Sequence, residues 1–286
     1  MKKQEYIDIG IWAGLTISQI EWVLCSILDV SKKELFLLHE ISSKYIYEIQ
    51  QVFFKLASGE SEEYLLETAN FYGRDYFVDD RVLIPRNDTE TLVSVMLKKL
   101  HESIDIKNMI YIDVWTGSAC IPISVIEEMH PLRFEKAFAL EISQDSMDVA
   151  AENIETFSAW KIELRESNLL SWVFHDDFSH KKICMSANLP YIKDEDYQNM
   201  DATVIRNEPN RALYWWAETW FELYKELIKQ CFQMKQVHKI SEIHLFIEIG
   251  FDQKQVSHDY LTEMWLSFEY FKDSSNIERV IYISNF

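Results

Sequence analysis

Four consecutive residues, Asn188-Leu189-Pro190-Tyr191, carry the groups needed to hold a planar NH2 group. The side-chain carbonyl of Asn188 and the backbone carbonyl of Leu189 can accept hydrogen bonds from one amino group, while the Tyr191 ring covers its face. Pro190 biases Leu189 towards an extended conformation, which turns that carbonyl out of a strand ladder. Such a grip positions a nitrogen for attack on an electrophile. For these residues alone, the alternative is an ordinary turn at the end of a strand.

A second candidate site follows another apolar run. Tyr111-Ile112-Asp113-Val114 leads directly into Trp115-Thr116-Gly117-Ser118-Ala119, and a helix is predicted from Cys120. A strand, a turn of small residues and a helix N-terminus are typical of a nucleotide-binding loop, because backbone N–H groups and close chain approach serve the ligand there. Residues 115–119 are therefore candidate cofactor-binding residues.

Two further strand ends carry candidate ligand-binding groups. Glu141 ends the next predicted strand, where a carboxylate can accept both hydroxyls of a ribose. A solvated acid at a strand end is the alternative for that residue. After the third predicted strand, Asn168 could contact an adenine edge and Leu169 could pack on the ring.

Hydrophobic periodicity predicts the elements that position these groups. From Ser18 to about Leu66 the apolar residues recur at spacings of three and four, which indicates amphipathic helices in a small bundle. Between Asn70 and Ile84 the pattern favours a short β-hairpin turning at Asp79-Asp80. We therefore predict a helical domain over residues 1–69, a hairpin linker over 70–84 and a larger domain over 85–286.

Helices and strands alternate from Asp88 onwards. This alternation predicts an α/β domain with a mostly parallel sheet covered on both faces, in which ligands bind at the carboxyl ends of the strands. The predicted helices span residues 89–99, 121–128 and 146–157. The predicted strands span residues 109–114, 136–140, 162–165, 183–187 and 243–250, with a terminal pair near 269–272 and 279–283.

Composition narrows the class of protein. The chain has 28 basic and 47 acidic residues, a net charge of -19 and no long Lys/Arg cluster, so nucleic acid is not expected as a direct partner. The four cysteines are far apart and form no Cys/His cluster, which predicts neither a metal site nor a disulfide framework. No targeting or membrane-spanning segment is predicted. We expect a soluble, cytoplasmic, monomeric protein.

The strand-end groups together resemble those of a class I methyltransferase that uses S-adenosylmethionine. The segment Val82-Leu83-Ile84-Pro85-Arg86-Asn87-Asp88-Thr89-Glu90-Thr91-Leu92-Val93 resembles, more specifically, the signature before the catalytic domain of the peptide chain release factor glutamine methyltransferases. Further matches to that family are Phe71-Tyr72-Gly73, Asn188 to Tyr191, Glu208-Pro209 with Ala212-Leu213, and Glu248-Ile249-Gly250 with Gln253.

The resemblance implies a Rossmann-like catalytic domain behind a small all-α domain that docks the substrate. It implies methyl transfer from S-adenosylmethionine to the side-chain amide nitrogen of the glutamine in the Gly-Gly-Gln motif of class I release factors. The implied catalytic residues are Asn188, Pro190 and Tyr191, with the Leu189 carbonyl also binding the substrate. The implied cofactor-binding residues are Trp115, Thr116, Gly117, Ser118, Ala119, Glu141, Asn168, Leu169 and Asn188.

The sequence departs from the family pattern at several positions. Leu189 stands where the family has proline, Asn168 where it usually has aspartate, and Ala119 in place of a third glycine. Trp115 stands at the first glycine of the Gly-x-Gly-x-Gly turn, where a bulky residue is expected to need an unfavourable backbone region and to obstruct the pocket. Further tryptophans at glycine positions of the pattern or in a predicted turn are Trp215, Trp216, Trp220 and Trp265.

The glycine content supports one explanation of these tryptophans. The chain has 6 glycines and 9 tryptophans, against roughly 20 glycines at average usage. We hypothesise that many or all of the tryptophans come from UGA codons that the source organism reads as glycine. The alternative is divergence into an inactive pseudo-methyltransferase that still docks a release factor.

A different enzyme also stays open at this point. An adenine-N6 or RNA methyltransferase can use an Asn-x-Pro-Tyr motif to grip the amino group of a base. The acidity of the chain, the absence of a target-recognition domain and the segment Ile84-Pro85-Arg86 argue against it.

Overall fold

The computed structural model describes residues 1–130, 134–159, 161–190 and 221–286. The described residues form two compact units, one of residues 1–68 and one that begins at Ala69. Several residues singled out in the sequence lie outside the described residues: Tyr191, the motif at 208–213, Trp215, Trp216 and Trp220. No helix in the described ranges is long and apolar enough to cross a membrane.

The first unit is a small helical bundle. Its helices are α1 (Lys3–Trp12), α2 (Ile17–Leu28), α3 (Lys32–Leu37), α4 (Ile46–Ala57) and α5 (Glu62–Leu65). Thr16 caps α2 in a capping box, accepting a hydrogen bond from the Gln19 backbone while the Gln19 side chain accepts one from the Thr16 backbone. The predicted amphipathic helices are confirmed, and α1 begins before the first residue of the predicted pattern.

A two-stranded hairpin opens the second unit, formed by β1 (Thr68–Phe71) and β2 (Arg74–Phe77). Its turn is Tyr72-Gly73, where both residues have positive φ, 51° and 74°. A two-residue turn of this type matches the twist of the flanking strands. The predicted turn at Asp79-Asp80 is therefore wrong. The Asp79 carboxylate instead accepts hydrogen bonds from the backbone and side chain of Arg81, which forms a local turn without a strand.

Seven strands form the main sheet in the order β5-β4-β3-β6-β7-β9-β8. Neighbours from β5 to β7 run parallel, and β9 runs antiparallel to both β7 and β8. The predicted parallel sheet and the terminal strand pair are confirmed. The strands are β3 (Met109–Val114), β4 (Lys136–Glu141), β5 (Ile162–Glu166), β6 (Lys182–Ala187), β7 (Glu242–Glu248), β8 (Ser267–Lys272) and β9 (Glu278–Ser284).

Helices pack against both faces of this sheet. They are α6 (Glu90–Glu102), α7 (Cys120–Glu128), α8 (Gln144–Thr156), α9 (Glu222–His238) and α10 (Lys254–Glu263), and a 3-10 turn (Asn87–Thr89) precedes α6. Alternate residues of β3 enter two different apolar cores, Ile112 on one face and Tyr111 on the other. The central strand is thus buried on both sides, as its unbroken apolar pattern predicts. The sequence patterns do not predict α9 or α10.

Candidate functional site

The carboxyl ends of three central strands meet at one edge of the sheet. Val114 on β3 lies opposite Leu140 on β4 and Ala187 on β6. The residues that follow these strand ends are therefore brought together, and a cavity of about 760 Å³ opens beside them. In an open parallel sheet, ligands usually bind in the crevice between two neighbouring strands whose following helices lie on opposite faces of the sheet. The volume of this cavity suits a small organic ligand.

Six of the predicted site residues line this cavity: Trp115, Thr116, Gly117, Ser118, Glu141 and Asn188. No sequence motif predicts the other wall residues individually, although several of them lie in the segment 82–93 that resembles the family signature. The missed wall residues are Asp80, Arg81, Val82, Leu83, Pro85, Arg86, Thr89, Cys120, Ile121, Ile142, Ser143, Asp145 and Ser146.

Other predicted site residues do not form part of the wall. Ala119, Leu169 and Leu189 are fully buried in the apolar core. Asn168 is exposed, and its backbone N–H donates to the Ser171 hydroxyl at 3.1 Å. Cofactor contacts by Ala119, Asn168 and Leu169 therefore stay predictions.

Alternate residues of the turn after β3 adopt the left-handed backbone region. The φ angles are 67° at Trp115, 54° at Gly117 and 62° at Ala119. Only glycine occupies this region without steric cost, and other residues lose roughly 1–2 kcal/mol there. The unfavourable backbone predicted for Trp115 is confirmed.

The Trp115 side chain is half-buried and packs against the apolar core beside the cavity. It forms part of the cavity wall, and a volume of about 760 Å³ remains open next to it. Trp115 therefore lines the cavity without closing it.

Glu141 fixes the shape of the turn. One carboxylate oxygen accepts from the Gly117 backbone N–H at 3.0 Å, and the other accepts from Ile142 and Ser143 at 2.9 and 3.0 Å. Burial raises the pKa of Glu141, and these three N–H donors oppose the rise. Its predicted contact with ribose hydroxyls stays a prediction, and carboxylate lone pairs remain for it.

Two buried polar groups lie at the turn. The Thr116 hydroxyl is close to the Asp113 carboxyl and acts to lower its pKa. Burial raises the pKa of Asp113 to about 7, partly opposed by the Ser186 hydroxyl. Thr116 lines the cavity and Asp113 does not, so of these two groups only the Thr116 hydroxyl lies beside the space for a polar ligand.

The segment Asn188-Leu189-Pro190-Tyr191, predicted to bind an NH2 group, begins where β6 ends. The Asn188 side-chain amide donates to Oγ1 of Thr89 at 3.3 Å, and both residues line the cavity. The buried Leu189 backbone N–H donates to the Tyr224 hydroxyl at 3.0 Å, and that hydroxyl donates to the carbonyl of Glu248. Two other elements, the turn before α6 and α9, thus hold the motif in place.

The strand order and the site together define a class of protein. Five parallel strands and a final antiparallel pair form the Rossmann-like fold of the class I methyltransferases, and the turn after the central strand lines the cavity. The cavity connects that turn with the Asn188 motif at one edge of the sheet.

The relatives found by sequence carry one name within this class. The chain is 29% identical over 238 residues to a release factor glutamine methyltransferase of Bacillus cereus, covering 82% of each chain. It is 29% identical over 255 residues to one of Mycoplasma mycoides subsp. mycoides SC, covering 87% of this chain and 84% of the relative. The chain is therefore similar, over more than four fifths of its length, to proteins named release factor glutamine methyltransferase.

Two other comparisons add less. No protein-family model matches the chain. The N-terminal domain of human METTL16 in complex with SAH superposes with a TM-score of 0.49 at 14% identity, covering 74% of this chain and 75% of that one. A likeness at this level carries no argument here.

Proposed function

We propose that the protein transfers a methyl group from S-adenosylmethionine to the side-chain amide nitrogen of the glutamine in the Gly-Gly-Gln motif of peptide chain release factors. The observation that carries the proposal is the position of Asn188. Its amide lies on the wall of the same cavity as the turn of residues 115–119, so an NH2 group held by Asn188 faces the cofactor end of the site.

The cofactor, when bound, supplies an electrophilic methyl group. An amide nitrogen is a weak nucleophile because its lone pair is delocalised, so the protein must contribute mainly position and a dry environment. With Nδ2 of Asn188 donating to Thr89, Oδ1 is the atom that can accept from the substrate NH2. The Leu189 carbonyl supplies the second acceptor in this proposal. Two acceptors on one NH2 group fix the direction of its nitrogen.

The test is a methylation assay with the purified chain, S-adenosylmethionine labelled on its methyl group and a class I release factor. We expect label on the release factor, and none after its Gly-Gly-Gln glutamine is changed to alanine. Asn188→Ala should lower kcat by about 10²- to 10³-fold, the range for a lost positioning or charge-stabilising group. Labelling that persists without the glutamine would contradict the proposed substrate.

The same assay separates the two alternatives. An adenine-containing oligonucleotide offered in place of the release factor should gain no label, as the net charge of -19 also argues. A pseudo-methyltransferase would bind the release factor but show no heat of S-adenosylmethionine binding in calorimetry.

We also propose that the helical unit of residues 1–68 docks the release factor. It exposes large apolar side chains, with Trp12, Phe36 and Phe54 each at least 70% exposed. Phe36→Ser is expected to raise KM for the release factor several-fold while the affinity for S-adenosylmethionine stays constant. An unchanged KM in Phe36→Ser and Phe54→Ser would count against this surface.

A further inference from the structure

Thr89 lies against the one side chain on which the proposed chemistry depends. Its hydroxyl oxygen accepts the hydrogen bond from Nδ2 of Asn188 at 3.3 Å, and its own side chain is almost completely buried. The bond is long for an N–H···O pair, which is common in catalytic sites before the substrate binds. The hydroxyl anchors the end of the Asn188 side chain. A hydroxyl can accept from Nδ2 or donate to Oδ1, and in this structure it accepts from Nδ2, which leaves Oδ1 for the cavity.

The orientation of that amide decides whether the site can work. An asparagine side chain presents an acceptor on one side and donors on the other, and a 180° turn about its last bond exchanges them. If Nδ2 faced the cavity, it would repel a substrate NH2 group, because both would be donors. The Thr89 contact occupies Nδ2 and leaves Oδ1 for the substrate.

The turn that carries Thr89 is anchored on both sides. On one side, the Asp88 carboxylate pairs with the Arg279 guanidinium on β9 at 3.0 Å. On the other, the Glu90 carboxylate accepts from the Tyr72 backbone N–H at 2.7 Å. Thr89 itself ends the short 3-10 turn, with its backbone N–H donating to the Arg86 carbonyl at 3.0 Å. Hydrogen bonds to two other elements therefore hold the hydroxyl at a fixed place in the cavity wall.

We infer that Thr89 is a positioning residue, which holds the Asn188 amide with its oxygen towards the substrate nitrogen. The inference rests on the proposed function for its catalytic consequence, although the contact itself can be tested without catalysis. Thr89 touches Asn188 and acts on the reaction through it.

The first measurement uses nuclear magnetic resonance of the full chain with asparagine labelled by 15N. The Asn188 side-chain NH2 pair is assigned from its loss in Asn188→Ala. We expect this pair to shift and to exchange with water roughly tenfold faster in Thr89→Val, which removes the hydroxyl at constant shape, and to stay close to its original position in Thr89→Ser. An NH2 pair that does not change in Thr89→Val would overturn the inference.

The second measurement is kinetic, with a release factor as substrate. Thr89→Val should lower kcat roughly tenfold, Thr89→Ser should recover most of the rate, and Thr89→Val added to Asn188→Ala should cause no further loss. Thr91→Val, the same substitution in α6 outside the cavity, is the matched control. A loss in Thr89→Val that persists undiminished in the Asn188→Ala background would overturn the positioning role. If the unaltered protein methylates no release factor, the proposed function fails while the resonance measurement still decides the role of Thr89.

Discussion

The Ser186 hydroxyl on β6 donates a hydrogen bond to Oδ1 of Asp113, the residue opposite it on β3. The same hydroxyl lies 2.6 Å from the Tyr111 hydroxyl, so three buried polar groups connect β3, before the turn at 115–119, with β6, before Asn188. Burial raises the pKa of this carboxyl by more than the Ser186 and Thr116 hydroxyls lower it. The carboxylate is therefore only partly stabilised in its ionised form.

Because the Asp113 carboxyl is buried, we predict that the free energy of unfolding falls as the pH rises. Burial raises its pKa to about 7, whereas an unfolded aspartate titrates near pH 3.9. Between these values the folded protein binds a proton that the unfolded chain releases, so the free energy of unfolding decreases with pH. We expect a loss of roughly 3 kcal/mol between pH 5 and pH 8, measured by urea denaturation. Glu141, whose pKa is also raised, adds to the same trend.

Asp113→Asn is the control for that prediction, because asparagine keeps an acceptor for Ser186 and cannot ionise. Its stability should depend much less on pH over the same range. An equal loss in the variant would assign the pH dependence to other groups.

The Asn153 side chain links the hairpin to the turn at residues 115–119. The buried side chain accepts from the Phe77 N–H at 2.8 Å and donates to the carbonyls of Phe77 and Ser118 at 2.9 and 3.0 Å. Asn153→Ala leaves these groups without partners, so it should lower the free energy of unfolding by about 2–4 kcal/mol. Thermal denaturation is the measurement. Asn70→Ala removes an exposed hydrogen bond to Asp75 and should cost less than about 0.5 kcal/mol.

Removing the Tyr224 hydroxyl is predicted to lower both the free energy of unfolding and kcat. Its hydroxyl joins the Leu189 backbone N–H to the Glu248 carbonyl, and Tyr224→Phe removes both bonds. We expect a loss of about 1–3 kcal/mol in the free energy of unfolding and a lower kcat, because the peptide between Asn188 and Leu189 is no longer held. Tyr47→Phe, on an exposed tyrosine, should change neither. Equal effects of the two variants would show that the Tyr224 hydroxyl does not hold the motif.

Backbone geometry predicts which tryptophans occupy glycine positions. Trp265 follows α10 with φ 57° and is 91% exposed. The Trp265 backbone N–H donates to the Thr262 carbonyl, and the Leu266 backbone N–H donates to the Leu261 carbonyl. These two hydrogen bonds form a Schellman motif, in which the residue at the position of Trp265 is usually glycine. Trp115 has the same left-handed backbone. We expect UGA codons at positions 115 and 265, and sequencing the gene is the measurement. UGG at both positions would refute the glycine hypothesis.

Protein variants test the same idea independently. Trp265→Gly should raise the free energy of unfolding by about 1 kcal/mol, because the left-handed strain disappears. The Trp172 ring packs against the Phe138 and Phe178 rings, with ring centroids 4.9 and 6.0 Å apart. Trp172→Gly should therefore lower the free energy of unfolding by about 3 kcal/mol or more. Trp115→Gly should strengthen S-adenosylmethionine binding in calorimetry. A weaker binding in that variant would show that the indole belongs to the site.

The sequence by itself determined the elements whose patterns are local. The apolar run of β3, the turn that follows it and the alternation of helices and strands predicted a parallel sheet with its ligand edge. These patterns also predicted that Glu141 and Asn188 lie at that edge, because the carboxyl ends of parallel strands meet there. The left-handed backbone at Trp115 followed from its place in a glycine pattern.

Only the tertiary structure decided contacts between residues distant in the chain. Thr89 and Asn188 are hydrogen-bonded although they lie 99 residues apart in the sequence, and Ser186 and Asp113 lie 73 residues apart. No spacing or periodicity encodes such pairs, because they depend on which strands lie side by side and on the register between them. The hairpin turn also escaped prediction. Tyr72 takes a positive φ that a residue other than glycine adopts only at a cost, and Asp79 binds Arg81 locally instead of forming the turn.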